Sequence, residues 1–177
     1  REGYMNPDSE ESMHALNVLC VRLVFCLYCE DAGLFGKDAF YNYLKDVPAN
    51  RIRTALKNLF RALDTNLSER DPYDLEVKAF PYVNGGLFRD ESEVPNFTDE
   101  TKSFLLDEVS SHIDWSQISP TIFGGIFEST LNPETRRSGG MHYTSPENIH
   151  KVIDPLFLDD LKEELKSICT EEGTTPR

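Results

Sequence analysis

The sequence has little that would place it in a membrane or on a general nucleic-acid surface. No segment approaches the run of about 18 apolar residues that a membrane-spanning helix needs, and no basic stretch followed by an apolar run marks its start. Basic residues are few, since 18 Lys and Arg stand against 31 Asp and Glu, for a net charge of -13. An acidic surface repels phosphates, so any contact with nucleic acid must be local. We expect a cytoplasmic protein with no membrane partner.

Motifs of several enzyme classes are also absent. The sequence contains neither a G-x-x-x-x-G-K-[ST] loop for nucleotide phosphates nor a G-x-G-x-x-G dinucleotide motif. Its histidines show no metal-ligand spacing. Asp64, Glu76 and Lys78 satisfy the loose D...E-x-K pattern of metal-dependent nucleases, but that pattern is nearly as common as chance and Asp64 falls in a predicted helix. We therefore expect no metal site and no catalytic residue in these 177 residues.

Cysteine is scarce, with four in the chain. Cys20, Cys26 and Cys29 lie in one apolar stretch at helical spacing, which does not suit a standard disulfide framework. Cys26-x-x-Cys29 has the spacing of a zinc half-site, yet no second Cys or His pair lies at finger-like distance. The sequence predicts free thiols, with this pair in the core.

Apolar residues at helical spacing are what the sequence does have. The periodicity predicts a first helix that ends near Glu30, with Gly33 available for a left-handed cap. A short helix over residues 38–44 and a longer one after Asn50 should follow. The inward positions expected for the first and third helices are Met13, Leu16, Cys20, Leu23, Val24, Leu27, Ile52, Leu56, Leu59, Phe60, Leu63 and Leu67.

Residues 70–98 change character, because Pro72, Pro81, Pro95 and the run Asn84-Gly85-Gly86 are turn formers. They predict a hairpin or a compact irregular loop packed on the helices. We therefore predict a mainly α fold, a helical bundle with a small β-hairpin or irregular insertion.

The remaining segments predict further helices. Thr98 is a candidate cap for a helix to about Ser111, with Phe104, Leu105 and Val109 inward. Serine or aspartate followed by proline opens the later ones, which are expected over residues 119–131, 146–153 and from Asp154 through Leu165.

Basic side chains recur every four residues on the predicted third helix, at Arg53, Lys57 and Arg61. One interpretation is a solvated helix face, which is common. The other is a track that contacts DNA phosphates. The sequence leaves both open.

The segment from Gly139 to Ile149 predicts a flexible loop, a short extended piece and a capped helix N-terminus with unpaired N–H groups. Within it, Gly140-Met141-His142-Tyr143-Thr144-Ser145 resembles the G-x-[FHY]-[FY]-T-[PS] segment called motif X. In adenine-N6 DNA methyltransferases that segment precedes the catalytic core and contacts S-adenosylmethionine.

Further segments resemble, in the same order, the large single-chain restriction-modification enzymes of types IIG and IIL, the MmeI-like group. The resemblance extends over about residues 15–165. The segments that carry it are Arg22–Phe35, Tyr82–Phe88, Asp114–Ser116, Ile118–Gly124 and Pro155–Leu158.

The resemblance implies a connector. In that family a helical spacer follows an N-terminal nuclease and precedes the methyltransferase and target-recognition domains. Residues 1–135 would be the spacer, with its insertion at about 70–98, and residues 136–177 the opening segment of the methyltransferase domain. DNA and the neighbouring nuclease and methyltransferase domains would be its partners. His142, Tyr143, Thr144 and Ser145 would contact S-adenosylmethionine in the full-length protein, with no cofactor expected on this chain alone.

The sequence also departs from the complete enzymes. An acidic Gly-rich cofactor turn and an [ND]-P-P-[YF] loop, which grips the flipped adenine, are both absent, so we expect no methylation by this chain itself. Arg1 and the polar tail Thr174–Arg177 lead us to expect a piece of a larger protein. The alternative is a non-enzymatic helical module whose acidic surface binds a basic protein.

Overall fold

The computed structural model describes residues 2–83, 86–119, 122, 144 and 146–171. Contacts divide the chain into two units, Arg1–Ser119 and Pro120–Arg177. Each is described by itself, and the boundary expected near residue 135 stays a prediction. The fold is mainly helical, which confirms the predicted class.

The first unit is built from four α-helices and two short helical segments of other types. Ser9 caps the first helix by accepting a hydrogen bond from the Ser12 amide at 3.1 Å, and Thr98 caps the fourth in the same way through Thr101. The elements are α1 (Glu10–Asp31), α2 (Ala39–Lys45), α3 (Ala49–Asp64), α4 (Asp99–Ser103), a π-helical segment (Phe104–Ser110) and a 3₁₀ turn (Trp115–Gln117).

Helix α1 is apolar on more than one face. Its predicted inward face is only partly right, because Met13 and Cys20 are exposed while Leu27 alone of that set is fully buried. The helix instead turns a neighbouring face to the core, with Ala15, Leu19, Arg22, Cys26, Cys29 and Glu30. The sequence periodicity could not separate the two faces, since both carry apolar residues.

Helix α1 also has the length and apolar character of a membrane span, with a mean hydropathy of 1.6 over an 18-residue window. From the sequence we expected no segment that approaches a membrane-spanning helix, so the length and hydropathy of α1 go beyond that expectation. Of that window, 44% is buried inside the structure, and the helix contributes the buried charged side chains of Arg22 and Glu30 to the core. The buried share and these two charges identify α1 as a core helix of the first unit.

Helix α3 presents the predicted apolar face to the core. Ile52, Leu56, Leu59 and Leu63 are completely buried, as the spacing predicts. Leu67 was wrongly included in that face, because α3 ends at Asp64 and the Leu67 side chain is 61% exposed.

The insertion after α3 is irregular. Its described residues form turns and bends and contain no strand, so the β-hairpin alternative is not confirmed; Asn84 and Gly85 lie outside the described residues. Its apolar side chains nevertheless join the core of the helices, and they are Val77, Phe80, Phe88, Val94 and Phe97.

The helix that begins at Asp99 changes geometry at Phe104. From there to Ser110 the backbone is π-helical, and a π turn holds more residues than an α turn. The predicted inward set is accordingly only partly correct, since Leu105 is buried but Phe104 is 61% exposed and Leu106 is buried instead. Val109 packs against the core from a partly buried position.

The second unit is described from residue 146 onward, together with Ile122 and Thr144. It contains α5 (Pro146–Ile153), a π-helical segment (Asp154–Leu158) and α6 (Asp159–Glu171). The predicted helical content is confirmed, but the new helix expected to start at Asp154 is wrong, because the backbone continues from α5 through a π-helical segment without a capping bond from a side chain. The helix expected over residues 119–131 lies outside the described residues apart from Ser119 and Ile122.

Candidate nucleic-acid interface

The three basic residues singled out in the sequence lie on the solvent side of α3. Arg53, Lys57 and Arg61 are all exposed, and eight residues of helical rise separate the first from the last by about 12 Å. None of the three forms an ion pair with a carboxylate among the described side chains. The structure therefore presents a row of positive charge on an otherwise acidic chain.

Local contacts hold the ends of this row. The Arg53 Nε donates to the Val94 carbonyl at 2.7 Å, which ties it to the end of the insertion. The Arg61 Nη2 lies 3.4 Å from the Asn58 side-chain oxygen. A guanidinium has five N–H donors, so each arginine keeps donors for an outside acceptor.

The helix that carries the row is itself fixed in the unit. Its apolar face is buried, and the Tyr43 hydroxyl donates to the Ala55 carbonyl at 3.0 Å. Near its C-terminus, the Val83 amide donates to the Leu63 carbonyl at 2.7 Å. A rigid helix fixes the spacing of its exposed charges, which lowers the entropy lost when they bind a ligand.

Two arginines that the sequence analysis did not single out fix the insertion beside this helix. Arg22, 4% exposed, donates to the carbonyls of Leu87 at 2.9 Å and Asp90 at 2.7 Å. Arg70 donates to those of Thr65, Phe80 and Pro81 at 3.0, 2.6 and 3.1 Å. A charged residue within an apolar stretch was the available signal for Arg22; no signal marked Arg70.

A buried carboxylate, Glu30, anchors α2. It accepts hydrogen bonds from the amides of Phe40 at 2.6 Å and Tyr41 at 3.3 Å, in a helix whose own N-cap residue, Asp38, makes no capping bond. Burial raises the pKa of Glu30, and the two backbone hydrogen bonds oppose that shift. Its role is structural, because both interactions satisfy backbone donors of the first turn.

The cysteine pair lies in the core as free thiols. Cys26 and Cys29 are buried and form no disulfide, as the sequence predicted. Burial raises the pKa of the Cys26 thiol well above its usual value and that of Cys29 to about 12. Both stay protonated at neutral pH, which removes the thiolate that metal binding or nucleophilic attack requires.

The loose nuclease pattern does not form a metal centre in the described part of the chain. Asp64 ends α3, whereas Glu76 and Lys78 lie exposed in the irregular insertion. Within the described residues no three His, Cys, Asp or Glu side chains are grouped to hold a metal ion.

The segment that resembles motif X lies almost entirely outside the described residues. This applies to His142, Tyr143 and Ser145, and Thr144 is exposed in irregular backbone. Directly after it, α5 begins at Pro146, as predicted. The assignment of these four residues to cofactor contact stays a prediction.

The known proteins to which the chain is similar include a DNA methyltransferase and a restriction-modification enzyme. The family described as "MmeI, helicase spacer domain" matches residues 14–88. The chain is 36% identical over 156 residues to DNA methyltransferase A of Bacillus subtilis (strain 168), covering 86% of this chain and 17% of that protein. It is also similar to the type IIL restriction-modification enzyme MmeI, whose structure was determined in complex with DNA. That match has 40% identity and a TM-score of 0.59, over 88% of this chain and 21% of the MmeI chain.

The chain thus spans about a fifth or less of the length of the relatives it matches. The match to the spacer family covers α1 to α3 and most of the insertion, which are the elements that build the core. The alternative of an unrelated helical interaction module is not favoured by these matches. The chain is similar over most of its length to the MmeI-like restriction-modification enzymes, and its residues 14–88 match the model of their spacer domain.

Proposed function

We propose that this chain is the connector of a DNA adenine-N6 methyltransferase that belongs to a restriction-modification system, and that α3 contacts the DNA backbone. The observation that carries the second part is the row Arg53, Lys57 and Arg61 on a rigid helix, without carboxylate partners among the described side chains. The structure of its relative MmeI is that of a complex with DNA, which supports DNA as the partner.

The acidic chain limits such a contact to this row. With a net charge of -13, the rest of the surface opposes long-range attraction of DNA. Three side chains at a spacing of about 12 Å overall can contact phosphates along one strand, where successive phosphates rise by about 3.4 Å. Phosphate contacts fix position without reading sequence. This suits a connector that keeps the catalytic modules in register on the duplex.

S-adenosylmethionine is the cofactor we assign to the full-length protein, with His142, Tyr143, Thr144 and Ser145 as its contacts. The similarity to a DNA methyltransferase supports the cofactor. Bound there, S-adenosylmethionine supplies the methyl group, while these residues hold and orient it. A role in restriction and modification of DNA supports a cytoplasmic location for the protein.

The test of the DNA contact is the salt dependence of DNA affinity in the full-length protein. We would measure fluorescence anisotropy on a 30-base-pair duplex at several salt concentrations, for the wild type and for Arg53→Gln/Lys57→Gln/Arg61→Gln. Each lost phosphate contact should reduce the log–log slope by about 0.9, so the triple variant should lose about 2.7 of slope.

The matched control removes three exposed charges of the same unit outside α3, as Lys37→Gln/Lys78→Gln/Arg89→Gln. Equal slopes for the two triple variants would show that only net charge matters and that α3 makes no specific contact.

A further inference from the structure

An open apolar groove lies along α1 in the first unit. Its floor is a half-buried face of α1 that the sequence periodicity picked out, including Leu16, Leu23 and Val24. The facing wall includes Phe104 and Val109 of the π-helical segment. The groove has a volume of about 1290 Å³. A helix normally buries its apolar stripe, and α1 has apolar side chains on this second side as well, which is the composition of a helix with a partner there.

The dimensions fit a helix better than a small molecule. Small-molecule sites usually measure about 300–1,000 Å³ and enclose their ligand, whereas this groove is larger and open along one side. From Leu16 to Leu27 the floor extends over three helical turns, or about 17 Å. Grooves of this kind bind amphipathic helices through apolar side chains spaced at three and four residues.

The rim of the groove is acidic. Glu2, Glu93 and Glu100 are exposed along it. The one basic side chain among the described residues that line it is Arg53, whose Nε is bonded to the Val94 carbonyl. Glu93 also accepts a hydrogen bond from the Met5 amide at 3.1 Å. Three carboxylates against one partly engaged guanidinium still favour an occupant with basic residues beside its apolar face.

We propose that this groove binds a basic amphipathic helix of the same polypeptide, from outside these 177 residues. The inference rests on the proposed connector role, because a connector is packed between the modules it joins. The matched relatives carry about four fifths of their length outside the matching segment, which supplies the occupant. Its apolar face covers Leu23 and Phe104, and its Lys or Arg side chains pair with Glu93 and Glu100.

Cys20 gives a direct readout, since its side chain is exposed and lines the groove. We would measure the rate of N-ethylmaleimide modification of Cys20 by peptide mass spectrometry, in the 177-residue chain and in the full-length protein, both carrying Cys169→Ser. Modification should be at least tenfold slower in the full-length protein. A maleimide–succinimide cross-linker on Cys20 should then capture a lysine from a basic helical segment outside residues 1–177.

Two equally exposed apolar residues provide a matched pair of variants. Phe104 lies in the groove and Leu67 outside its lining, each with 61% of its side chain exposed. In the full-length protein, Phe104→Asp should return the Cys20 rate to within twofold of the 177-residue chain, while Leu67→Asp should leave protection intact. Val24→Ser is the second groove variant if circular dichroism shows Phe104→Asp to be misfolded.

Three results would overturn the proposal. Equal Cys20 rates in the two proteins would mean an open groove, and protection of the 177-residue chain that grows with its concentration would identify a second copy as the occupant. A captured lysine that lies within residues 1–177, or in a segment with no other basic residue, would refute the proposed basic helix. None of these readouts involves DNA, so a salt slope that falls in the Arg53/Lys57/Arg61 triple variant, together with an unprotected Cys20, would reject the groove occupant and leave the proposed DNA contact standing.

Discussion

The guanidinium carbon of Arg22 lies 5.3 Å from the centroid of the Phe60 ring, which joins α1 to α3 inside the core. The same group stands 5.8 Å from the Phe88 ring of the insertion, and its N–H groups bond to the Leu87 and Asp90 carbonyls. Hydrogen bonds to the two carbonyls and cation–π contacts with the two rings both stabilise this buried charge. Three parts of the unit therefore depend on one side chain.

Replacing Arg22 by Met should lower the free energy of unfolding by about 3 kcal/mol, because two carbonyls lose charged donors. Urea denaturation followed by circular dichroism measures the change. Arg89→Met is the control, since Arg89 is exposed in the same insertion, and it should cost less than about 0.5 kcal/mol. Equal losses for the two variants would contradict the role given to Arg22.

Arg70 should control local opening of the insertion. Its side chain bonds to carbonyls within eleven residues along the chain, so Arg70→Met frees that loop without removing a core side chain. We expect local opening to become easier by about 2 kcal/mol, which is a roughly thirtyfold rise in the opened population. Limited proteolysis within residues 65–83 measures it, and unchanged cleavage rates would show that the insertion is held by its apolar residues alone.

Glu30 should make the fold less stable as pH rises. Burial raises its folded-state pKa above the ordinary value of 4.5, so the folded protein binds the proton more tightly than the unfolded chain. This contribution to stability is fully present below the unfolded pKa and is lost as pH rises through the folded pKa. Glu30→Gln keeps an acceptor oxygen for the Phe40 amide but cannot titrate.

The measurement for Glu30 is the free energy of unfolding from pH 4 upward, in wild type and in Glu30→Gln. The stability of wild type minus that of the variant should fall with rising pH. A difference that stays constant or rises would mean that the hydrogen bonds from Phe40 and Tyr41 outweigh burial.

The cofactor assignment predicts a binding defect in the full-length protein. Tyr143→Ala should weaken S-adenosylmethionine binding about tenfold through loss of aromatic contact. Tyr73→Ala, at an 88% exposed tyrosine, should leave that affinity unchanged. Isothermal titration measures both, and the 177-residue chain alone should show no binding, because part of a pocket cannot offset the entropy of fixing a ligand. Equal affinities for the two variants would remove Tyr143 from the cofactor site.

The sequence predicted best those helices whose apolar residues all fall on one face. Helix α3 has such a face, so its buried residues and its exposed basic row both follow from spacing of three and four. Helix α1 has apolar residues on two faces, and its inward side was half wrong because only tertiary contacts distinguish them. The π-helical segment caused the error at Phe104, since its period departs from the one assumed.

The side chains that hold the insertion could not be predicted in the same way. Arg22 bonds to carbonyls 65 and 68 residues away, and a backbone acceptor leaves no mark in the sequence. The prolines and glycines of residues 70–98 did predict turns correctly, but they do not specify which carbonyls converge on Arg70. The row Arg53, Lys57 and Arg61 could be recognised without knowledge of distant carbonyls, because its spacing follows from the helix alone.

The two arginines that hold the insertion also differ in when their contacts can form. Arg70 closes loops of 5 to 11 residues, which cost little chain entropy, whereas Arg22 must wait until the ends of a 65-residue loop meet. Contacts made before the transition state set the folding rate, and those made after it set the unfolding rate. Arg70→Met should therefore slow refolding, while Arg22→Met should mainly speed unfolding. The local contacts of Arg70 would then form early in folding, and the long-range contacts of Arg22 late.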